Sequence, residues 1–111
     1  MRYTDKQIDT RKRQKAINLL EKIMKNLFRM FRDEKTTKEQ VAERFFFLKG
    51  QLDDLGDPAL TGEYHSAMKK YVKDIASVLR STQELDAMRS PQMSRLNSIQ
   101  KIKNQTSFRR R

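Results

Sequence analysis

Apolar residues recur in steps of three and four along the first third of this 111-residue chain. Ile17, Leu20, Met24, Leu27 and Phe31 fall on one line of a 3.6-residue helix, with Ala16, Leu19, Ile23, Phe28 and Met30 beside them. The spacing predicts a helix of about 28 residues, on the order of 42 Å long. Thr4 or Asp5 is placed to cap its first turn, and the periodicity fades after Phe31. Asp33-Glu34-Lys35 forms a short charged link. Thr36 with Glu39, and Thr37 with Gln40, then give two overlapping capping-box registers. A second helix follows, with Val41, Phe45, Leu48, Leu52 and Leu55 on one face. Phe45-Phe46-Phe47 cannot all face one core, because consecutive helix positions are about 100° apart; two are expected to bury within the bundle and one to reach an interface.

Gly56-Asp57-Pro58 reads as a stop followed by a start: glycine past one helix, Asp57 as the next N-cap, Pro58 at the first helical position. The third helix is predicted to be long. Leu60, Tyr64, Met68, Tyr71, Ile75, Val78 and Leu85 keep its core face, and Gly62 can break off its first turn. Tyr64 and Tyr71 are expected to reach the edge of that face with their hydroxyls. Ser90-Pro91 is expected to end the helix, because the residue before a proline is driven out of helical conformation. Beyond it Met93, Leu96, Ile99 and Ile102 allow one more short amphipathic helix. Strand signals are nearly absent, with no Asn-Gly or Asp-Gly turn.

These elements predict an all-α protein, an antiparallel three-helix bundle over residues 1–90 with two long helices and one shorter one. Residues 91–111 form a basic C-terminal segment, as a short amphipathic helix or tail. The middle helix is too short to cover both long ones. The apolar surface left over is expected to be covered by the C-terminal segment folding back or by a second copy in a homodimer.

Charge changes the picture. The formal net charge is +11, with residues 1–33 carrying +6, residues 34–89 carrying −1 and residues 90–111 carrying +6. A surface charged only for solubility mixes its signs. Arg11, Lys15, Asn18, Lys22, Lys25, Arg29 and Arg32 form one line on the first helix, opposite its apolar face, and six of these seven are cationic. Surface helices ordinarily carry Lys and Arg, but Glu21 lies only at the margin of this line and no i,i+4 Glu–Lys ladder neutralises it. Lys101, Lys103, Arg109, Arg110 and Arg111 add charge near the C-terminus. Together these residues are the candidate polyanion-binding set.

Other chemistry finds little support. The chain has no cysteine, and its one histidine, His65, has no companion ligand. Asp53, Asp54, Asp57 and Glu63 do not fit a calcium loop, since Gln51 and Leu55 would occupy ligand positions. The three glycines are not followed by the Gly-Lys-Ser/Thr of a phosphate loop. Thr37–Phe45 carries half of a helix-turn-helix pattern, with Ala42 at the packing position, but Phe46 stands where the tight turn belongs. With no nucleophile–base pair at a readable spacing, the expectation is a non-enzyme with no metal and no cofactor. The longest apolar run, Phe45–Leu48, is far too short to span a membrane. Charges stand where a signal peptide would place its apolar stretch. The expected location is therefore the cytoplasm, or the inside of a virus particle or organelle.

The sequence thus points to a helical binding protein that docks on DNA or RNA through a basic helix face and a basic tail. The competing expectation is an accessory interaction protein, of the kind phages and mobile elements encode as inhibitors, scaffolds or assembly factors. It would use the same surfaces on an acidic protein. The six methionines suit that role, because Met-rich surfaces adapt to partners.

Overall fold

A computed structural model describes the backbone of residues 5–56 and 58–109, and the side chains of 8–56 and 58–105. The described residues are all-helical and without strands: α1 (Asp5–Arg32), α2 (Lys38–Asp54), α3 (Glu63–Arg80) and α4 (Leu85–Arg109). The first two elements match the periodicity of the sequence. At α2 the Thr37 register wins over that of Thr36. The Gln40 N–H donates to Thr37 Oγ1 (3.2 Å) and the Thr37 N–H donates to Gln40 Oε1 (3.0 Å), which satisfies two otherwise orphaned donors. The helix stops before Gly56, which takes the left-handed conformation (φ +75°) that favours glycine.

Three expectations for the second half are corrected. No helix starts at Pro58; α3 begins after Gly62, whose φ of +99° lies outside helical space. The proposed Asp57 cap, like the Thr4 and Asp5 side chains, falls outside the described residues. Next, the long third helix is two helices, so the bundle has four rather than three. Arg80 to Glu84 supply no apolar side chain, and Ser81 turns the chain. Its hydroxyl donates to the Val78 carbonyl (2.6 Å) and accepts from the Gln83 N–H (3.2 Å). Finally, Pro91 lies inside α4 and does not end a helix, so the boundary expected between residues 90 and 91 falls within a continuous element. An interior proline costs about 3 kcal/mol. Leu85, Met88, Leu96 and Ile99 bury on one face on both sides of it, each worth roughly 1.5–3 kcal/mol. Burial wins.

Sequential helices run antiparallel, as their cross-contacts show. Arg44 reaches Asn26 between α2 and α1, the Arg80 guanidinium lies 4.8 Å from the Phe46 ring centroid between α3 and α2, and Arg95 meets Asp74 at 2.9 Å between α4 and α3. α4 closes the ring by lying antiparallel along α1, with Lys103 on Glu21 (2.7 Å) and Arg89 at the far end of α1. The fold-back expected of the C-terminal segment is therefore what covers α1. One continuous core holds Leu20, Ile23, Leu27 and Phe31 of α1, Val41, Phe45 and Leu48 of α2, Met68, Tyr71 and Ile75 of α3, and the four apolar residues of α4. Of the three successive phenylalanines, Phe45 is buried, Phe46 half-buried and Phe47 59% exposed.

Two cations hold the end of the bundle where the α1–α2 and α3–α4 loops meet. Arg89 Nη1 donates to the carbonyls of Met30 (3.2 Å), Phe31 (2.8 Å) and Asp33 (2.7 Å). Its Nη2 donates to those of Glu34 (3.4 Å) and Thr36 (3.0 Å), and its Nε to the Asp86 carboxylate (3.0 Å). Lys38, at the start of α2, donates in the same way to the carbonyls of Ser81 (2.7 Å) and Gln83 (2.5 Å). Each loop is thus held by the helix that follows the other loop.

Replacing Arg89 by Met should lower stability by roughly 1.5–3 kcal/mol, since a partly buried set of charge-assisted bonds to carbonyls of the α1 end and the α1–α2 loop is lost. Arg89→Lys should restore only part of it, because an ammonium cannot fork across several carbonyls. Urea melts followed by circular dichroism measure both. In the same assay Leu20→Ala, at a fully buried position, should cost roughly 2–5 kcal/mol.

Candidate polyanion-binding face

The cationic line of α1 lies on the side of the helix turned away from the core. Arg11, Lys15, Asn18, Lys22, Lys25, Arg29 and Arg32 are all exposed. Neighbouring positions of one helix face are brought together simply by the α-helical repeat. Among the described residues, Lys15, Lys22, Arg29 and Arg32 form no ion pair, and Lys25 only lends its charge to nearby Glu21. Arg29 and Arg32, in the last turn, also complement the negative end of the α1 dipole. Lys15, Lys22 and Lys25 lie more than a turn from that end and have no such structural role.

The C-terminal cations divide. Lys101 is exposed. Lys103 turns inward, donating to the Glu21 carboxylate, and its ammonium lies 5.7 Å from the centre of the Tyr64 ring. The backbone of Arg109 ends α4, while its side chain, with Arg110 and Arg111, falls outside the described residues. Arg95 is likewise engaged, with Asp74 and over the Tyr71 ring (4.9 Å).

Glu21 is the centre of a small polar cluster joining three helices. Its Oε2 accepts from Lys103 of α4 (2.7 Å) and from the Tyr64 hydroxyl of α3 (2.9 Å). Burial pushes the Glu21 carboxyl up, but the two hydrogen bonds and the charges of Lys103 and Lys25 outweigh it and hold it below the ordinary carboxylate value. Burial, with the adjacent carboxylate, raises the Tyr64 phenol above its usual range. Tyr71 departs from expectation: its hydroxyl does not reach the edge but is fully buried without a hydrogen-bond partner, as is Gln92 Oε1. Burial raises the Tyr71 phenol too, opposed in part by Arg95.

Two grooves flank the cationic line, each of about 420 Å³. One lies between α1 and α4, floored by Met24, Phe28 and Leu96, with Lys25, Arg29 and Arg32 on one rim and Asn97 and Gln100 on the other. The second lies between α1 and α2, with Leu19 and Leu55 as floor and Lys15, Lys22, Asn18 and Gln51 around it. The partnering helices cannot be inferred from the α1 pattern, so Asn97, Gln100 and Gln51 have no signal in the sequence. Lys12 and Arg13 do have one. They fall among four cations within Arg11–Lys15, and every residue from Ile8 to Lys15 is exposed, including Arg13 on the line of the core face.

Among the described residues no His, Asp and Glu side chains gather where they could hold a metal ion. His65 Nδ1 donates to the Thr61 carbonyl (2.9 Å), and Asp53 pairs with Lys49 (2.9 Å). No described helix is long and apolar enough to cross a membrane. No known family model, curated protein or solved structure matches the chain.

Because the Glu21 carboxyl is held below its ordinary value of 4.5 in the folded chain, its contribution to stability is complete above that pH and is lost as the pH falls below it. Glu21→Gln should therefore melt below the parent at pH 7, and the gap should close in acid below pH ~4.5. Thermal melts between pH 7 and pH 3 read the difference.

Proposed function

We propose that the protein is a non-enzymatic binding module for nucleic acid, docking through the exposed face of α1. The observation that carries this reading is the line Lys15, Lys22, Lys25, Arg29 and Arg32. These five exposed cations span about 26 Å of helix, while other cations of the chain (Arg89, Arg95, Lys38, Lys49 and Lys103) are engaged within the bundle. Like charges three or four residues apart repel by a few tenths of a kcal/mol per pair. A polyanion reverses the sign of that cost. Binding is electrostatic: each cation neutralises a phosphate and releases the counterions condensed on it. Lys12 and Arg13, on the exposed start of α1, and Lys101 on α4 extend the same field.

Five phosphate contacts give a slope of log K against log salt of about −4.5 on duplex DNA and about −3.5 on a single strand. Replacing Lys15, Lys22 and Arg29 together by Glu should lower affinity by roughly a hundredfold or more, at unchanged helix content, since all three side chains are exposed. Fluorescence anisotropy across a salt series, with circular dichroism of the variant, tests both. Absence of salt-sensitive affinity for any DNA or RNA overturns the reading. A stable complex with an acidic protein would then put the accessory-factor role in its place.

A further inference from the structure

The two grooves beside the cationic line differ from the line itself in kind, because they add apolar floors and carboxamides to charge. A phosphate backbone needs only the cations. A duplex stacks its bases and hides their faces, leaving nothing to fill an apolar groove. A single strand exposes both faces and edges of its bases. Each part of a nucleotide then finds a counterpart in the α1–α4 groove. Arg29 and Arg32 stand on the rim for phosphate, half-buried Phe28 forms the floor for a base face, and Asn97 and Gln100 stand opposite for a base edge. A carboxamide offers a donor and an acceptor together, as base edges require. The α1–α2 groove repeats the scheme with Lys15 and Lys22, Leu19 and Leu55, and Asn18 and Gln51. Each groove is of a size that holds one small group, within the usual 300–1,000 Å³ of ligand sites.

Their layout narrows the occupant further. The grooves lie on opposite sides of the cationic line, offset by about 14 Å along α1, with Lys22 and Lys25 between them. A straight duplex or a straight acidic helix can follow one groove but not cross to the other. A flexible strand can cross, placing bases in both grooves and its phosphates on the lysines between. We infer that this face is a site for single-stranded nucleic acid, with Phe28, Asn97 and Gln100 contacting a base. The inference rests on the nucleic-acid reading of α1 and specifies its ligand.

The test is fluorescence anisotropy of the full chain with a labelled 15-nucleotide oligothymidylate, the same strand paired to oligoadenylate, and labelled polyglutamate. On charge alone the duplex should win, since it carries twice the phosphates. The expected result is the reverse, with the single strand bound about tenfold or more tighter. The double variant Asn97→Ala with Gln100→Ala, at exposed positions, and separately Phe28→Leu, should weaken single-strand binding about fivefold to tenfold and leave duplex binding within about twofold. Should Phe28→Leu fail to fold by circular dichroism, the carboxamide pair decides. Equal or tighter duplex binding, or variants that weaken both probes alike, overturns the inference while leaving the cationic face as a general polyanion site. Loss of salt-sensitive binding to both nucleic acids takes down the reading beneath it as well. Preference for polyglutamate overturns it in favour of an acidic protein partner.

Discussion

The bundle depends on one half-buried guanidinium. α1 ends with its last carbonyls unpaired, as every helix does, and the Arg89 side chain, only 14% exposed, donates to five carbonyls between Met30 and Thr36. A positive charge at the negative end of a helix dipole is favourable. The fork of the guanidinium lets one side chain serve several acceptors whose spacing no ammonium could match. Because Arg89 belongs to the second turn of α4, satisfying the end of α1 also fixes where α4 begins. It sets α4 antiparallel along α1, and from that follow the covering of Met24 and Leu27 and the groove that holds Phe28, Asn97 and Gln100. Lys38 does the same for the α3–α4 loop with two carbonyls. The two loops are thereby locked to each other at one end of the molecule.

Arg89 is one of several cations that the fold engages. Cations on α2, α3 and α4 are largely engaged: Lys38 and Arg89 on loop carbonyls, Lys49 on Asp53, Arg80 on the Phe46 ring, Arg95 on Asp74, Lys103 on Glu21. The Glu21 carboxylate is as important for what it removes as for what it joins. By binding Lys103 and Tyr64 it ties α1 to α3 and α4, and it takes one cation from the C-terminal segment out of the field. Lys15, Lys22, Lys25, Arg29 and Arg32 stay exposed in one line on the outward face of α1, while Lys35, Lys70, Lys73 and Lys101 are exposed singly or in pairs elsewhere. The charge the protein presents is therefore a property of which cations the fold leaves unused, rather than of the total of +11.

The sequence by itself determined the helices whose signals are local. The 3.6-residue periodicity of α1, the Thr37–Gln40 box and the left-handed Gly56 each act within a turn or two of chain, so residue order specifies them. The cationic line was legible for the same reason: seven positions on one helix face share a surface whatever packs behind them. The all-α class follows from these signals and from the absence of strand and hairpin patterns. Two local signals misled: Pro58, where no helix starts, and Pro91, which removes a backbone donor but lies on the exposed side of a helix buried both before and after it.

Tertiary structure decided everything that joins distant residues. The break at Ser81 had a faint trace in the apolar gap from Arg80 to Glu84, but Val78 and Leu85 fall in phase on a helical wheel and conceal it. Nothing in the order of residues told Arg89 from Arg95 or Lys101 from Lys103. Each pair reads as surface charge until the fold brings carbonyls, Asp74 or Glu21 within reach, at separations of 21 to 82 residues. The grooves beside α1 belong to the same class, because their second walls come from α2 and α4. Periodicity reports which face of a helix is apolar; only packing reports what that face, and the polar margin beside it, will meet.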